Sequence, residues 1–457
     1  MRATFATMAQ LDARGNPCGS GSLIARGAAE KALWRTMSFY DTPLGDLDTA
    51  ISADPGWALP HAMKAGFLFS LTEPALCGEA AVHLARARVL CAHAPQREKA
   101  HVDALQQIAD GRWTAACRTW DELLLDHPRD ALALQWCQLW DFYRGDTAAL
   151  RQRPARALPD WDETDPLFPC VLALYAFGLE ENNLYPQAEE AGRRALAADP
   201  RVPWAVHAVA HVMEMQGRFE EGSAWLGQHR AFWAEGNGFA THLWWHKGLF
   251  RLEALDTTGV LRLIDSHLSG DALQITLQRL DAAALLWRLH LLDVDVAPQC
   301  RALIRGWAPS DADAGHHAFN DMHVVLALLG AGDVAQAERW LARCAERAMA
   351  ASDARRSNHA VAREAGLPLM RGLLAFERGE MDAAADMLFA VRGASRSVGG
   401  SHAQRDLIDQ TLLAAASRGS RRAVGRAVLN ERTMAKPLTP LTRHWIEALS
   451  EPTEIRA

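Results

Sequence analysis

Prolines recur through the first half of the chain at nearly even intervals, and this spacing constrains the fold more than any other feature. Pro55, Pro95, Pro128, Pro166 and Pro200 follow one another at intervals of 40, 33, 38 and 34. Glycines followed by a polar or charged residue fall between them, at Gly111-Arg112, Gly145-Asp146 and Gly217-Arg218, and later at Gly332-Asp333 and Gly379-Glu380. An alanine commonly follows, as at Ala116, Ala337 and Ala384. Proline cannot continue a helix from its interior, and glycine readily takes the positive φ that ends one. The stretches between are rich in Ala, Leu and Arg at a 3.6-residue period, with no convincing alternating strand. The predicted class is all-α.

A period of about 34 residues, with a helix, a turn and a helix in each unit, is the mark of tetratricopeptide-like hairpins. One such hairpin cannot bury its apolar face alone, so neighbours must stack into a solenoid. About ten units fit the length, enough for roughly one superhelical turn around a central cavity lined by the first helix of each pair. The cleanest unit runs from Leu172 to Pro200, with Ala176, Leu179, Ala188 and Ala195 at packing spacings. Units near 265–281 and 309–316 carry insertions. Residues 1–28 read as an N-terminal loop or extension, with helical patterning from about Ala25, and residues 29–457 as one solenoid.

Net charge is −7, and Lys and Arg are spread out with no long basic block, short pairs such as Arg355-Arg356 and Arg421-Arg422 reading as solvated helix faces. Nucleic acid is therefore not an expected partner. Eight cysteines form no CxxC pair, and there is no run of about 18 apolar residues. These features predict a cytoplasmic chain with free thiols and no membrane partner. Sixteen tryptophans are the compositional excess, and their large faces suit cores and binding walls alike.

Several segments carry a resemblance: 128–135, 175–181, 204–217, 242–252, Asp281 to Leu289, Phe319-Asn320-Asp321-Met322-His323, and 399–406. Over nearly its whole length the chain resembles the tetratricopeptide repeat protein 38 family in its bacterial form. The resemblance implies an α-helical repeat fold and no particular activity.

Within the repeats, His207/His211 and His242/His246 are two i, i+4 pairs, so each pair shares a helix face. The pairs are offset from each other by one period, and one equal step beyond His246 stands Asp281. Glu214 maps back by one period to Glu180, and the Asn320, Asp321, His323 group lies two units beyond His246. Helices packed about 8–10 Å apart bring such columns together.

Three readings follow. As a metal site, His207, His211, His242 and His246 suit a divalent transition metal such as zinc, iron, manganese or nickel. The order H-E-x-x-H is absent, since residue 208 is Ala, which excludes a zincin protease. As a metal-free site, His207, His211, Glu214 and His323 would serve acid–base catalysis. A small molecule or peptide would then lie against Trp204, Trp244, Trp245 and Trp287, with Glu180, Asp281, Arg288, Asn320, Asp321, His402 and Arg405 as polar contacts. The third reading is structural, with imidazoles hydrogen-bonding between adjacent helices. Gly399-Gly400-Ser401 preceding His402 to Asp406 reads as a capped helix start able to hold an anion, or as a cap followed by a buried Arg–Asp pair. No phosphate loop, nucleophile elbow or dinucleotide fingerprint occurs. A ligand- or peptide-binding scaffold is the leading expectation, and an enzyme, metal-dependent or not, the alternative.

Overall fold

The computed structural model describes residues 10–436 and 438–450. Among the described residues the chain is helical apart from an isolated bridge between Tyr40 and Asn237 and an N-terminal hairpin, in which Gln10–Leu11 pairs antiparallel with Pro17–Cys18. These two-residue strands are too short to show an alternating pattern in the sequence. Their turn is closed instead by the Asp12 carboxylate, which accepts hydrogen bonds from the amides of Arg14 and Asn16 at 2.9 Å each. The first helix, Leu23–Ser38, starts at a Ser22 cap inside the span assigned to the extension.

From there the helices come as antiparallel pairs. Those that position the site are Phe168–Glu180 with Tyr185–Ala198, Pro203–Met215 with Phe219–Gln228, and Ala240–Glu253 with Thr257–His267. Next come Thr276–Leu291 with Ala297–Trp307, and Ala318–Gly330 with Val334–Met349. His402–Arg418 with Arg422–Ala435 and a last helix, Pro440–Ser450, close the described chain. All five spaced prolines lie in the links between pairs. The five punctuating glycines all have positive φ, from 67° to 82°. At Gly145 the need is double, because a Cβ there would also collide with the carbonyl of Arg396.

The first helix of a pair is buried nearly all round. Twelve of thirteen residues are buried in each of Phe168–Glu180, Pro203–Met215 and Ala318–Gly330. The second helices bury one stripe; in Val334–Met349 it consists of Ala337, Trp340, Cys344 and Ala348. First helices are covered on their inner side by distant helices: His402–Arg418 packs on Thr276–Leu291 and on Pro203–Met215, and Pro440–Ser450 packs on Ala240–Glu253. No helix among the described residues is long and apolar enough to cross a membrane.

Candidate metal centre

Pro203 at the first turn starts the Pro203–Met215 helix, and the i, i+4 spacing sends His207 and His211 inward together. The same spacing on Ala240–Glu253 presents His242 and His246. The two helices bring the four imidazoles into one cluster, in which one nitrogen from each lies within 4.8 Å of the others. His207 Nε2 stands 3.1 Å from His242 Nε2. The rings of His211 and His246 are 4.4 Å apart, and those of His207 and His211 4.3 Å. His207, His211 and His246 are buried, and the side chain of His242 is 15% exposed, so the cluster meets its surroundings only there.

An aromatic shell encloses the cluster. Phe177 and Trp204 lie against His207, Phe239 against both His207 and His242, and Trp245 stacks on His242. Phe39, at the C-terminal cap of the first helix, stacks on Trp204 and Phe239 and ties the start of the fold to this wall.

Carboxylates flank the cluster at two ends, and they behave differently. Asp281 Oδ2 accepts a hydrogen bond from His242 Nδ1 at 2.8 Å, which leaves His242 Nε2 as a lone pair facing His207. Glu180 Oε2 lies 3.6 Å from His211 Nδ1, too far for a hydrogen bond. No protein N–H donates to either Glu180 oxygen, and its carboxyl lies in hydrogen-bond contact with that of Glu181. Neither nitrogen of His211 or of His246 has a protein partner, nor does His207 Nδ1. Burial, and then the neighbouring histidines, hold His207, His211 and His246 well below the usual imidazole pKa, so their rings are neutral. Burial, with Glu181 beside it, raises the Glu180 carboxyl well above the usual range.

Other expected site residues take their hydrogen-bond partners outside the cluster, although the Arg288 guanidinium lies over the Trp245 ring at 5.6 Å. Glu214 accepts a 3.0 Å hydrogen bond from the buried ammonium of Lys436, which also reaches Glu253 at 2.6 Å. Arg432 joins the same network through Glu253 and Asp406. Arg288 donates to the carbonyls of Ala284 and Ala403, and burial lowers its pKa to about 10. Trp287 donates to Thr411, and Trp244 stacks on His267. Asn320 bonds His317 and Thr72, Asp321 accepts from the Gly315 amide, and His323 Nδ1 donates to the Phe319 carbonyl. These three residues find their partners away from the His cluster.

The start of the 402–418 helix has the expected cap, with Ser401 and Gln404 forming a reciprocal box. The anion held there is the chain's own Glu181, which accepts from the His402 amide at 2.8 Å and from Arg405 at 3.3 Å. The expected Arg405–Asp406 pair does not form. Residues i and i+1 do not face each other on a helix, so Arg405 turns to Glu181 and Asp406 to Arg432.

Sequence reasoning did not single out Glu181, Glu253, Lys436 or the three phenylalanines of the shell. Only Glu181 had a local signal, its adjacency to Glu180. No protein-family model matches the chain.

Proposed function

We propose that this protein binds a divalent transition metal through His207, His211, His242 and His246, within a helical-hairpin repeat of the tetratricopeptide type. One observation carries the reading. Five imidazole nitrogens of three buried histidines have no protein partner. A buried polar group left unpaired costs about 1–3 kcal/mol, and native interiors avoid it. Neutral imidazole nitrogens are also the ligand form for these metals.

The geometry supports it. In a tetrahedral or octahedral centre with metal–nitrogen bonds of about 2.0–2.1 Å, adjacent ligand atoms stand about 2.9–3.4 Å apart and opposite ones about 4.2 Å. The 3.1 Å between His207 and His242 is such an edge, and the 4.8 Å limit on the whole set requires only a small contraction. Asp281 fixes the His242 tautomer so that Nε2 carries the ligand lone pair, the role an outer carboxylate plays for a ligating histidine. Four imidazoles complete a tetrahedral zinc ion, whereas six-coordinate iron or manganese keeps two positions for a small reactant. The resemblance to the tetratricopeptide repeat protein 38 family supports the repeat type and is neutral on the metal.

The test is elemental analysis of untagged protein purified without chelator, beside the double variant His211→Ala/His246→Ala. The expected result is near-stoichiometric zinc, iron or manganese in the wild type and none in the variant. Absence of metal from wild-type protein, with no uptake when Zn2+ or Fe2+ is added, would overturn the proposal.

A further inference from the structure

We propose that a second metal ion binds between Glu180, Glu181 and His211, with the His211 imidazole bridging it to the four-histidine centre. This deepens the metal reading and rests on it. Glu180, Glu181 and His211 offer one ligand atom each within 4.8 Å of one another, and all three side chains are buried. His211 belongs to both sets. Its Nδ1 faces Glu180, which leaves Nε2 for the other three histidines.

The contrast between the two flanking carboxylates makes the argument. If Glu180 only oriented His211, it would accept a hydrogen bond from Nδ1, as Asp281 does from His242 at 2.8 Å. Instead Nδ1 and Oε2 are 3.6 Å apart, both His211 nitrogens lack protein partners, and the Glu180 carboxyl meets the Glu181 carboxyl without accepting from any protein N–H. A metal bonded to one nitrogen and one oxygen at about 2.0–2.2 Å holds them about 3.0–3.5 Å apart. The separation exceeds a hydrogen bond and lies just beyond the upper end of such an edge, so a small closing of the pair would seat an ion. Glu181 is held in place by the His402 amide and Arg405, and each of its oxygens keeps a further lone pair. Hard carboxylate oxygens with one imidazole suit zinc, manganese or iron. When both ions are bound, the Glu180 carboxyl and the His211 ring each give up a proton to solvent, Glu180 ligating as carboxylate and His211 as imidazolate with one nitrogen to each metal.

The experiment is zinc stoichiometry on stripped, untagged full-length protein reloaded with Zn2+ and desalted, for the wild type and Glu180→Gln. Two zinc ions per wild-type chain and one per variant chain are expected. One ion in both proteins overturns the second site and leaves the four-histidine centre standing. Two ions in both proteins overturn it as placed. No ion in the wild type overturns both proposals. Circular dichroism checks that the variant is folded. If it is not, wild-type protein loaded with Cu2+ decides: a bridged pair gives an exchange-coupled paramagnetic resonance spectrum with a half-field transition, and an isolated Cu2+ signal overturns the bridge.

Discussion

Two buried sites on first helices of different repeats, one built on a single histidine and one on four, differ in how their ring nitrogens are paired. In the earlier one, His101 on the Gln96–Ala109 helix uses both ring nitrogens: Nε2 donates to Asp130 at 2.9 Å, and Nδ1 accepts from the Trp120 indole at 3.1 Å. Asp130 also takes Arg97 at 2.5 Å and caps the Ala131–Tyr143 helix through the Ala133 amide. Every polar atom of that ring has its partner within the protein. In the later cluster His211 and His246 are equally inaccessible, yet neither has a protein partner on either nitrogen. Burial therefore does not mark a site. The distinction lies in hydrogen-bond accounting, because a satisfied buried histidine stabilises the fold and an unsatisfied one calls for something else to bind.

That difference can be broken most directly at Asp130. Asp130→Ala leaves Arg97 and His101 buried without their anion and removes a helix cap, so urea unfolding is expected to show a loss of about 3–5 kcal/mol. A loss under about 1 kcal/mol would mean that the earlier cluster is not structural.

The later cluster should respond to metal instead. Stripping the wild type with a chelator is expected to lower its stability by about 2.7 kcal/mol relative to protein held at 100 times the metal Kd. The His211→Ala/His246→Ala variant should show no chelator effect in the same thermal scans. Equal shifts in both proteins would separate the histidines from the metal.

A finer test concerns the outer carboxylate. Asp281→Asn should weaken Zn2+ affinity by about 10–100-fold in competition titrations while changing metal-free stability by less than about 1 kcal/mol. Unchanged affinity would remove Asp281 from the site.

The smallest effect is on pH. Burial works to raise the Asp130 pKa, but Arg97 and His101 prevail and hold it well below its ordinary 3.8, with Asp12 and Glu98 the other charged groups facing Arg97. A depressed carboxylate stabilises the fold above its unfolded pKa, and that contribution is lost as pH falls through the folded value. Wild-type stability should therefore fall more steeply below pH about 4 than that of Asp130→Asn. Parallel curves would show that the ion pair makes no net contribution.

Much of the fold could be read from single residues. Gly111, Gly145, Gly217, Gly332 and Gly379 end helices with positive φ, as their place after apolar runs predicts, and the spaced prolines fall between hairpins. The two His pairs meet because i, i+4 spacing and an offset of one repeat are local and periodic properties. Alignment by column is less accurate in detail. Asp281, aligned with His211 and His246, bonds His242 instead, because adjacent helices cross and a side chain meets its neighbour's residue one turn away. Glu214, on a compatible face of the same helix, is taken by Lys436, which lies 222 residues further along the chain.

The sequence by itself determined the helical class, the hairpin period and the convergence of four imidazoles, since each depends on residues within about one repeat of one another. Only the tertiary structure decided which of those groups stay without partners. Lys436 reaches Glu214, and His402 and Arg405 reach Glu181, from distant parts of the chain, while Glu180 is left beside His211. Such contacts join residues more than 220 apart in the chain. They depend on the packing of every helix in between, and no single segment encodes them.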